Sequence, residues 1–204
     1  MMTRLALALL LAGCTHHSGA QGTPHGNDLI LGSMGIPEFS TSSNPSRCPS
    51  RNGEGKVKLT FGNGKDRVKG ECKGGVMVGD WKAWYENGAV VWKTTFKSGV
   101  IDGNFTSWYP NDQKMADVDY KEGAAEGKLK AWFYNGKKRA EGEYVGGKKN
   151  GCWETWHDNG QKASKGTYSD DAQVLTWLNW TPTGDKSKQE LGGEAAHGKC
   201  LITF

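Results

Sequence analysis

The feature of this chain that most constrains its fold is a set of five tryptophans that recur every 24 residues: Trp84, Trp108, Trp132, Trp156 and Trp180. A second column keeps the same interval at Trp81, Phe105, Leu129, Trp153 and Trp177. Glycines keep the same interval at Gly55, Gly79, Gly103, Gly127 and Gly151, and the last four precede members of the second column by two residues. A fixed interval between about 20 and 50 residues is typical of proteins built from structural repeats. The interval therefore predicts a repeat protein, and it does not identify a partner.

Each repeat contains two alternating strands and a turn signal. Residues 127–136 alternate in polarity and end in Asn135-Gly136, and Asn-Gly is a strong hairpin signal because both residues tolerate positive φ. The returning strand places Ala140, Gly142 and Tyr144 on one face and charged side chains on the other. We therefore predict an all-β fold, an elongated single-layer antiparallel β-meander of about six 24-residue β-hairpins across residues 55–184. We expect each glycine or alanine beside an aromatic residue to make room for a ring from a neighbouring strand.

The alternation places the recurring tryptophans on both faces of such a sheet, so the sequence leaves two interpretations open. Trp84 and its equivalents either form a structural ladder, ring against ring or against glycine, or line a groove that contacts a partner. The candidate interaction surface is Trp84, Trp108, Trp132, Trp156 and Trp180.

The N-terminus resembles an export signal. Residues 5–12 form an apolar run of eight, well short of the roughly 20 residues that cross a bilayer as a helix, so we predict a signal peptide at residues 1–13. Leu11-Ala12-Gly13-Cys14 resembles the lipobox of bacterial lipoproteins, which makes Cys14 the predicted site of lipid (palmitate) attachment. An ordinary signal peptide with a chance cysteine is the alternative. Thr15 in place of aspartate favours the outer membrane over the inner membrane.

Residues 14–54 are rich in Ser, Gly, Pro, Asn and His and predict a lipid-anchored flexible tether with an N-terminal cap, and residues 185–204 predict a C-terminal cap. The remaining cysteines are candidates for disulfides in an oxidising envelope: Cys48, Cys72, Cys152 and Cys200. Equivalent positions in neighbouring repeats lie about 9.6 Å apart, too far for a disulfide. A Cys48–Cys72 or Cys152–Cys200 bond therefore requires a terminal segment that folds back, and four reduced thiols remain the alternative.

Charge and motifs exclude several functions. The chain has 26 lysines and arginines against 22 acids, interleaved along the sequence, which argues against a nucleic acid partner. Glu86, Asp112 and Asp158 fall in predicted hairpin turns, where acids are ordinarily solvated turn formers. We therefore predict no catalytic site, no metal site and no cofactor.

The pattern from Tyr144 through Gly147, Gly151 and Trp153 to Asn159-Gly160 resembles the MORN repeat, in particular its bacterial variant with the core seen here as Trp-Tyr-Glu-Asn-Gly at residues 84–88. The resemblance covers most of residues 55–184. It implies a curved meander of hairpins with an open groove that is used mainly for protein contacts. The bacterial members include antitoxins of the YwqK type.

Together these features predict a lipid-anchored, non-enzymatic protein of the cell envelope. Its repeats would act as a scaffold or docking surface for an unidentified envelope protein. The alternatives are a module that binds a glycan or peptidoglycan, and an antitoxin-like inhibitor of a toxin.

Overall fold

The computed structural model describes residues 48–49 and 52–202. The predicted signal peptide at residues 1–13, the predicted lipid attachment site Cys14 and most of the tether at 14–54 lie outside the described residues. They stay predictions.

The described residues form thirteen strands and no helix. The strands are β1 (Gly55–Thr60), β2 (Asp66–Lys73), β3 (Val76–Trp84), β4 (Val90–Lys97), β5 (Val100–Ile101), β6 (Gly103–Trp108), β7 (Lys114–Lys121), β8 (Ala124–Trp132), β9 (Lys138–Val145), β10 (Lys148–Trp156), β11 (Lys162–Ser169), β12 (Ala172–Trp180) and β13 (Lys186–Glu190). All pairs are antiparallel, and each strand pairs with the next one in the chain except that β4 pairs with both the short β5 and β6. The predicted all-β meander is confirmed. The strand β13 lies within the segment predicted as the C-terminal cap and returns along β12 as the second strand of the sixth hairpin.

The turns at the two ends of the strands are of different types. One end carries the Asn-Gly pairs. In the first of these turns, Gly64 N–H donates to the Phe61 carbonyl at 3.0 Å and Phe61 N–H donates to the Lys65 carbonyl at 2.8 Å. Gly64 has positive φ and Asn63 does not. This is a three-residue turn closed by a glycine in the left-handed region. The predicted hairpin turn is present, and only the glycine of Asn-Gly adopts positive φ, because the loop is one residue longer than the two-residue turn that requires it at both positions.

Two-residue turns with positive φ at both positions lie at the other end of the strands. They are Gly74-Gly75, Ser98-Gly99, Glu122-Gly123, Gly146-Gly147 and Asp170-Asp171. Such turns match the right-handed twist of the strands they join. The last turn contains no glycine, and aspartate is among the few other residues that tolerate this conformation.

One face of the sheet, here called the packed face, holds the core. The column Trp81, Phe105, Leu129, Trp153 and Trp177 is no more than 3% exposed. The rings of Phe96, Tyr144 and Tyr168 lie beside it, and Tyr144 and Tyr168 contact Trp153 edge to face with centroids 5.2 and 5.7 Å away. Burial of this column and of the rings beside it removes apolar area from water and stabilises the fold.

Residue volume on this face is matched between neighbouring strands. Trp81 lies over Gly70, Trp153 over Gly142 and Trp177 over Gly166, and a Cβ atom on any of these glycines would lie within 2.2 Å of a ring atom. Where the column has the smaller Phe105 and Leu129, the equivalent positions are Thr94 and Val118. The expectation that glycine makes room for a ring from a neighbouring strand is thus confirmed at the tryptophans.

Each of these tryptophans also satisfies a carbonyl that lies beside a shift in strand register. Trp153 Nε1–H donates to the Glu143 carbonyl at 3.2 Å and to the Asn150 carbonyl at 3.1 Å, and the register between β9 and β10 shifts after Asn150. Trp81 Nε1–H bonds the Val78 and Glu71 carbonyls in the same way. A shift leaves strand carbonyls without their ladder partners, so an indole donor at this position removes a cost of burial.

Both terminal segments of the described chain fold back and end in disulfides. Cys48 bonds Cys72, with a Cα–Cα distance of 5.8 Å, and Cys152 bonds Cys200, with a Cα–Cα distance of 4.6 Å. Residues 191–200 run back across β12 and β11, where Cys200 N–H donates to Thr167 Oγ1 at 3.0 Å. The fold-back that the sequence required for these pairings is present, and the reduced alternative is not what the structure contains.

Candidate interaction surface

The tryptophan column, by which we mean Trp84, Trp108, Trp132, Trp156 and Trp180, lies on the face opposite the packed face. Strand alternation places it there, since each member directly follows a residue whose side chain points into the packed face, such as Ala83 or Ala131, both of which are buried. All five tryptophans are half-buried. We call this side of the sheet the polar face.

Lysine ammonium groups lie over the rings of this column. Lys82 Nζ lies 5.2 Å from the ring centroid of Trp84, and Lys69 Nζ lies 5.6 Å from it. The other rings each have one such lysine, at 5.4 to 5.9 Å: Lys93 over Trp108, Lys114 over Trp132, Lys138 over Trp156 and Lys186 over Trp180. A cation over an exposed indole contributes about 0.5–1 kcal/mol, so the lysines orient the rings more than they stabilise the fold.

The tryptophan column is not a ring-on-ring stack. Among the described residues, the ring contacts include none between two members of the column. Equivalent positions lie two strands apart, about 9.6 Å, which exceeds the 4.5–7 Å over which aromatic pairs interact. The expectation of ring-against-ring packing is wrong for this reason, and the five rings are separate units with lysine between them.

The backbone beneath the column is fixed by contacts between successive repeats. Tyr85 Oη–H donates to the Trp108 carbonyl and Tyr109 Oη–H to the Trp132 carbonyl, both at 3.0 Å, and His157 Nε2 lies 2.8 Å from the Trp180 carbonyl. Each bond joins a residue to one 23 positions later, and therefore to the next hairpin.

Asparagines couple the same turns a second time. Asn135 Oδ1 accepts from Lys137 N–H at 3.0 Å within its own turn, while Asn135 Nδ2–H donates to the Asp158 carbonyl of the next turn at 2.8 Å. Asn87, Asn111 and Asn159 make equivalent pairs of bonds. Because asparagine has both a donor and an acceptor, it can close one turn and hold the next. The tryptophan column therefore lies beside a continuous row of turns that are joined to one another by hydrogen bonds.

Ion pairs on the polar face lower the pKa of two partly buried acids. Burial alone would raise the pKa of Asp117, but hydrogen bonds from Lys114 and Asn104 outweigh it and lower the pKa. The pKa of Glu154 is lowered in the same way, since hydrogen bonds from Lys162 and Lys165 outweigh the effect of its burial. Both acids are therefore charged at neutral pH and contribute to the stability of the folded chain.

The sequence identified the tryptophans but not the groups around them. The covering lysines precede their tryptophan by 15 residues at Trp84 and Trp108 and by 18 residues at Trp132 and Trp156. Within each of these two sets the lysines keep the 24-residue interval, Lys69 with Lys93 and Lys114 with Lys138, so the sequence carries a periodic signal that could have identified them. The asparagines were visible as turn residues, but nothing in the sequence shows that their amides reach the following turn.

The rest of the described chain offers little other chemistry. The acids Glu86, Asp112 and Asp158 are exposed at hairpin turns, as expected. Within residues 48–49 and 52–202, no group of three or more His, Cys, Asp or Glu side chains is placed to hold a metal ion. The same residues include no helix long and apolar enough to cross a membrane.

Comparison with known proteins identifies the repeat. The family model described as the MORN repeat variant matches residues 149–170, a span that contains most of β10 and β11. No curated protein matches the chain. The matched hairpin is the fifth of the sheet, and its turn types and 24-residue interval recur in the hairpins before it. The chain is therefore a repeat protein in which one hairpin matches the MORN repeat variant.

Proposed function

We propose that this chain is a non-enzymatic, lipid-anchored repeat protein of the cell envelope whose tryptophan column is a docking surface for another envelope protein. The observation that carries the proposal is that five half-buried indoles recur at a constant interval on one face of a sheet whose hairpins are joined by hydrogen bonds. Tryptophan is enriched in protein interfaces and is among the residues that contribute most to binding energy. A partner that lies across the column would bury Trp108, Trp132 and Trp156 most completely.

The ring contacts favour a protein over a glycan as the partner. A sugar that stacks on tryptophan needs an open ring face, and each ring of the tryptophan column has a lysine ammonium group 5.2–5.9 Å from its centroid. A protein partner can contact the ring edges and pair with the lysines at the same time. An antitoxin-like inhibitor would use the same surface, and with an anchor at Cys14 it would require a toxin that acts in the envelope.

In-cell cross-linking followed by mass spectrometry tests the docking surface. We expect Trp132→Ala to lose the cross-linked partner that the wild-type chain retains, while it still folds. Tyr134→Ala is the matched control, because Tyr134 is a neighbouring aromatic residue that is 57% exposed and lies outside the column. Equal cross-linking in wild type and Trp132→Ala would refute the docking surface.

The anchor has its own test, because it is supported by sequence alone. Labelled palmitate should be incorporated into the wild-type chain, which should fractionate with membranes, and Cys14→Ala should lose both properties. Thr15 supports the outer membrane as the destination. An unlabelled wild-type chain in the soluble fraction would refute the anchor and leave the docking surface to be judged separately.

A further inference from the structure

Four lysines lie side by side across the first four strands of the sheet. Strand register pairs Lys58 of β1 with Lys69 of β2, Lys69 with Lys82 of β3, and Lys82 with Lys93 of β4. All four are on the polar face, where Lys82 is half-buried and the other three are exposed. At about 4.8 Å between strands, this lysine row is about 14 Å long.

The lysine row is costly for the free protein. Like charges directly opposite one another on adjacent strands are destabilising, and here three such pairs follow in succession. The same line of positions continues across the sheet with three acids and three lysines, in the order Asp117, Lys130, Glu141, Glu154, Lys165 and Lys188, and its one like-charge pair is Glu141 opposite Glu154. The later repeats thus compensate their charge along this line, and the first two hairpins do not.

The net charge of the first two hairpins also differs from that of the later ones. Residues 55–97 contain nine lysines and arginines against four acids, a net charge of +5, whereas residues 98–190 contain 13 against 14. Within the lysine row, the described ion pairs are those of Asp66 with Lys58, at 3.1 Å, and with Lys69. Lys82 and Lys93 instead lie over the rings of Trp84 and Trp108.

From this charge arrangement we propose that the lysine row, together with Trp84 and Trp108, binds an acidic segment of the docked protein partner. The inference rests on the proposed docking function and specifies which end of the surface is charge-selective. Three acids on the same strands, Asp66, Glu71 and Asp80, lie on the polar face beside the row. They would repel a broad anionic surface, but a single line of carboxylates can follow the row between them. The row is one lysine wide, which fits an extended acidic segment better than a bilayer.

A fluorescent peptide of about eight glutamates is a direct probe, since at about 3.3–3.6 Å per residue it covers the row. Its binding to the purified full-length chain, kept in nonionic detergent, is measured by fluorescence anisotropy over a range of salt concentrations. We expect binding that weakens as salt rises, and none for the glutamine peptide of equal length. Lys82→Gln/Lys93→Gln should weaken binding about three- to twentyfold, because an exposed ion pair contributes up to about fivefold in affinity.

The matched control is Lys128→Gln/Lys130→Gln. These lysines lie on the same face, but they face Glu143 and Glu141 across the strand pair, so their charge is already compensated. We expect this variant to bind the glutamate peptide within about twofold of wild type, and both variants to remain folded, as is usual for surface substitutions.

Three outcomes would overturn the inference. They are absence of glutamate-peptide binding by the wild-type chain, an equal loss in the control variant, and binding of phosphatidylglycerol vesicles or a single-stranded oligonucleotide in preference to the peptide. The proposed function fails differently, since it is refuted when Trp132→Ala leaves the cross-linked partner unchanged. A partner that is lost with Trp132→Ala but kept, at equal yield, with Lys82→Gln/Lys93→Gln would refute the lysine row alone.

Discussion

Substitution of Gly142 by valine should destabilise the fold severely through one defined clash. A Cβ atom at this position would lie 2.1 Å from Trp153 Cδ2 and 2.3 Å from Cε2. The ring cannot withdraw cheaply, because it is 1% exposed and its N–H bonds two carbonyls. Overpacking costs about 1–3 kcal/mol, and each hydrogen bond lost by moving the ring adds about 1 kcal/mol. We expect Gly142→Val to cost about 3–5 kcal/mol.

The chain itself supplies the compensating change. One repeat earlier, Val118 and Leu129 occupy the equivalent positions, and both are buried. Trp153→Leu alone should cost about 2–4 kcal/mol, since it leaves a cavity over Gly142 and removes the indole donor. In Gly142→Val/Trp153→Leu the new side chains fill the same volume. We expect the double variant to be more stable than the sum of the single variants implies, by about 2 kcal/mol or more.

Urea denaturation followed by far-ultraviolet circular dichroism measures all four proteins of this cycle. If Gly142→Val is too unstable to purify, recovery of soluble, folded protein in the double variant replaces its free energy as the readout. Gly142→Ala is a milder form of the same test. Costs of the two single variants that add without coupling would refute the volume-matching argument.

Three further predictions concern backbone, disulfide and charge. Leu175 has a φ of 61° at a position where the five earlier repeats have glycine, so Leu175→Gly should stabilise the fold by about 0.5–1 kcal/mol in thermal unfolding. A loss of stability would show that the side chain outweighs the strain. Cys152→Ala/Cys200→Ala should cost about 2–4 kcal/mol in urea, because the tail is no longer tied to β10, and an unchanged midpoint would contradict this. The pKa of Glu154 in the folded chain is below its ordinary value of 4.5, so the stability that its charge contributes is present above pH 4.5 and is lost as the pH falls through the folded pKa. The melting temperature of Glu154→Gln should therefore depend less on pH below about 4.5 than that of wild type. Parallel curves of melting temperature against pH would contradict the lowered pKa of Glu154.

The meander was predictable because the 24-residue interval accommodates two strands and two turns, and because large and small residues alternate between adjacent strands in the sequence itself. Trp153 and Gly142 could thus be paired in advance. The turn types could not be assigned as well. Asn-Gly suits a two-residue turn, but the chain uses it in a longer one, where the asparagine amide also bonds the next turn.

The lysine row was not predictable from the sequence. Its members are separated by 11 to 13 residues, so they form no run of lysines, although the excess of basic residues over acids in residues 55–97 is visible in the sequence. They become adjacent only through strand register, which shifts between Lys69 and Glu71 where β2 meets β3. A register change of one residue would place a lysine on the other face. The position of such shifts depends on backbone geometry that periodicity does not reveal.

The central claim is that the tryptophan column serves binding and the packed face serves folding. The most direct measurement compares the free energy of unfolding of Trp132→Ala with that of Leu129→Ala, which lies on the same strand and the opposite face. Leu129 is fully buried, so its truncation should cost about 2–5 kcal/mol. Trp132 is half-buried, so its truncation should lower the free energy of unfolding by less than half as much. The same truncation should abolish cross-linking to the partner. An equal or greater loss of stability in Trp132→Ala would contradict the account, because the column would then be part of the core.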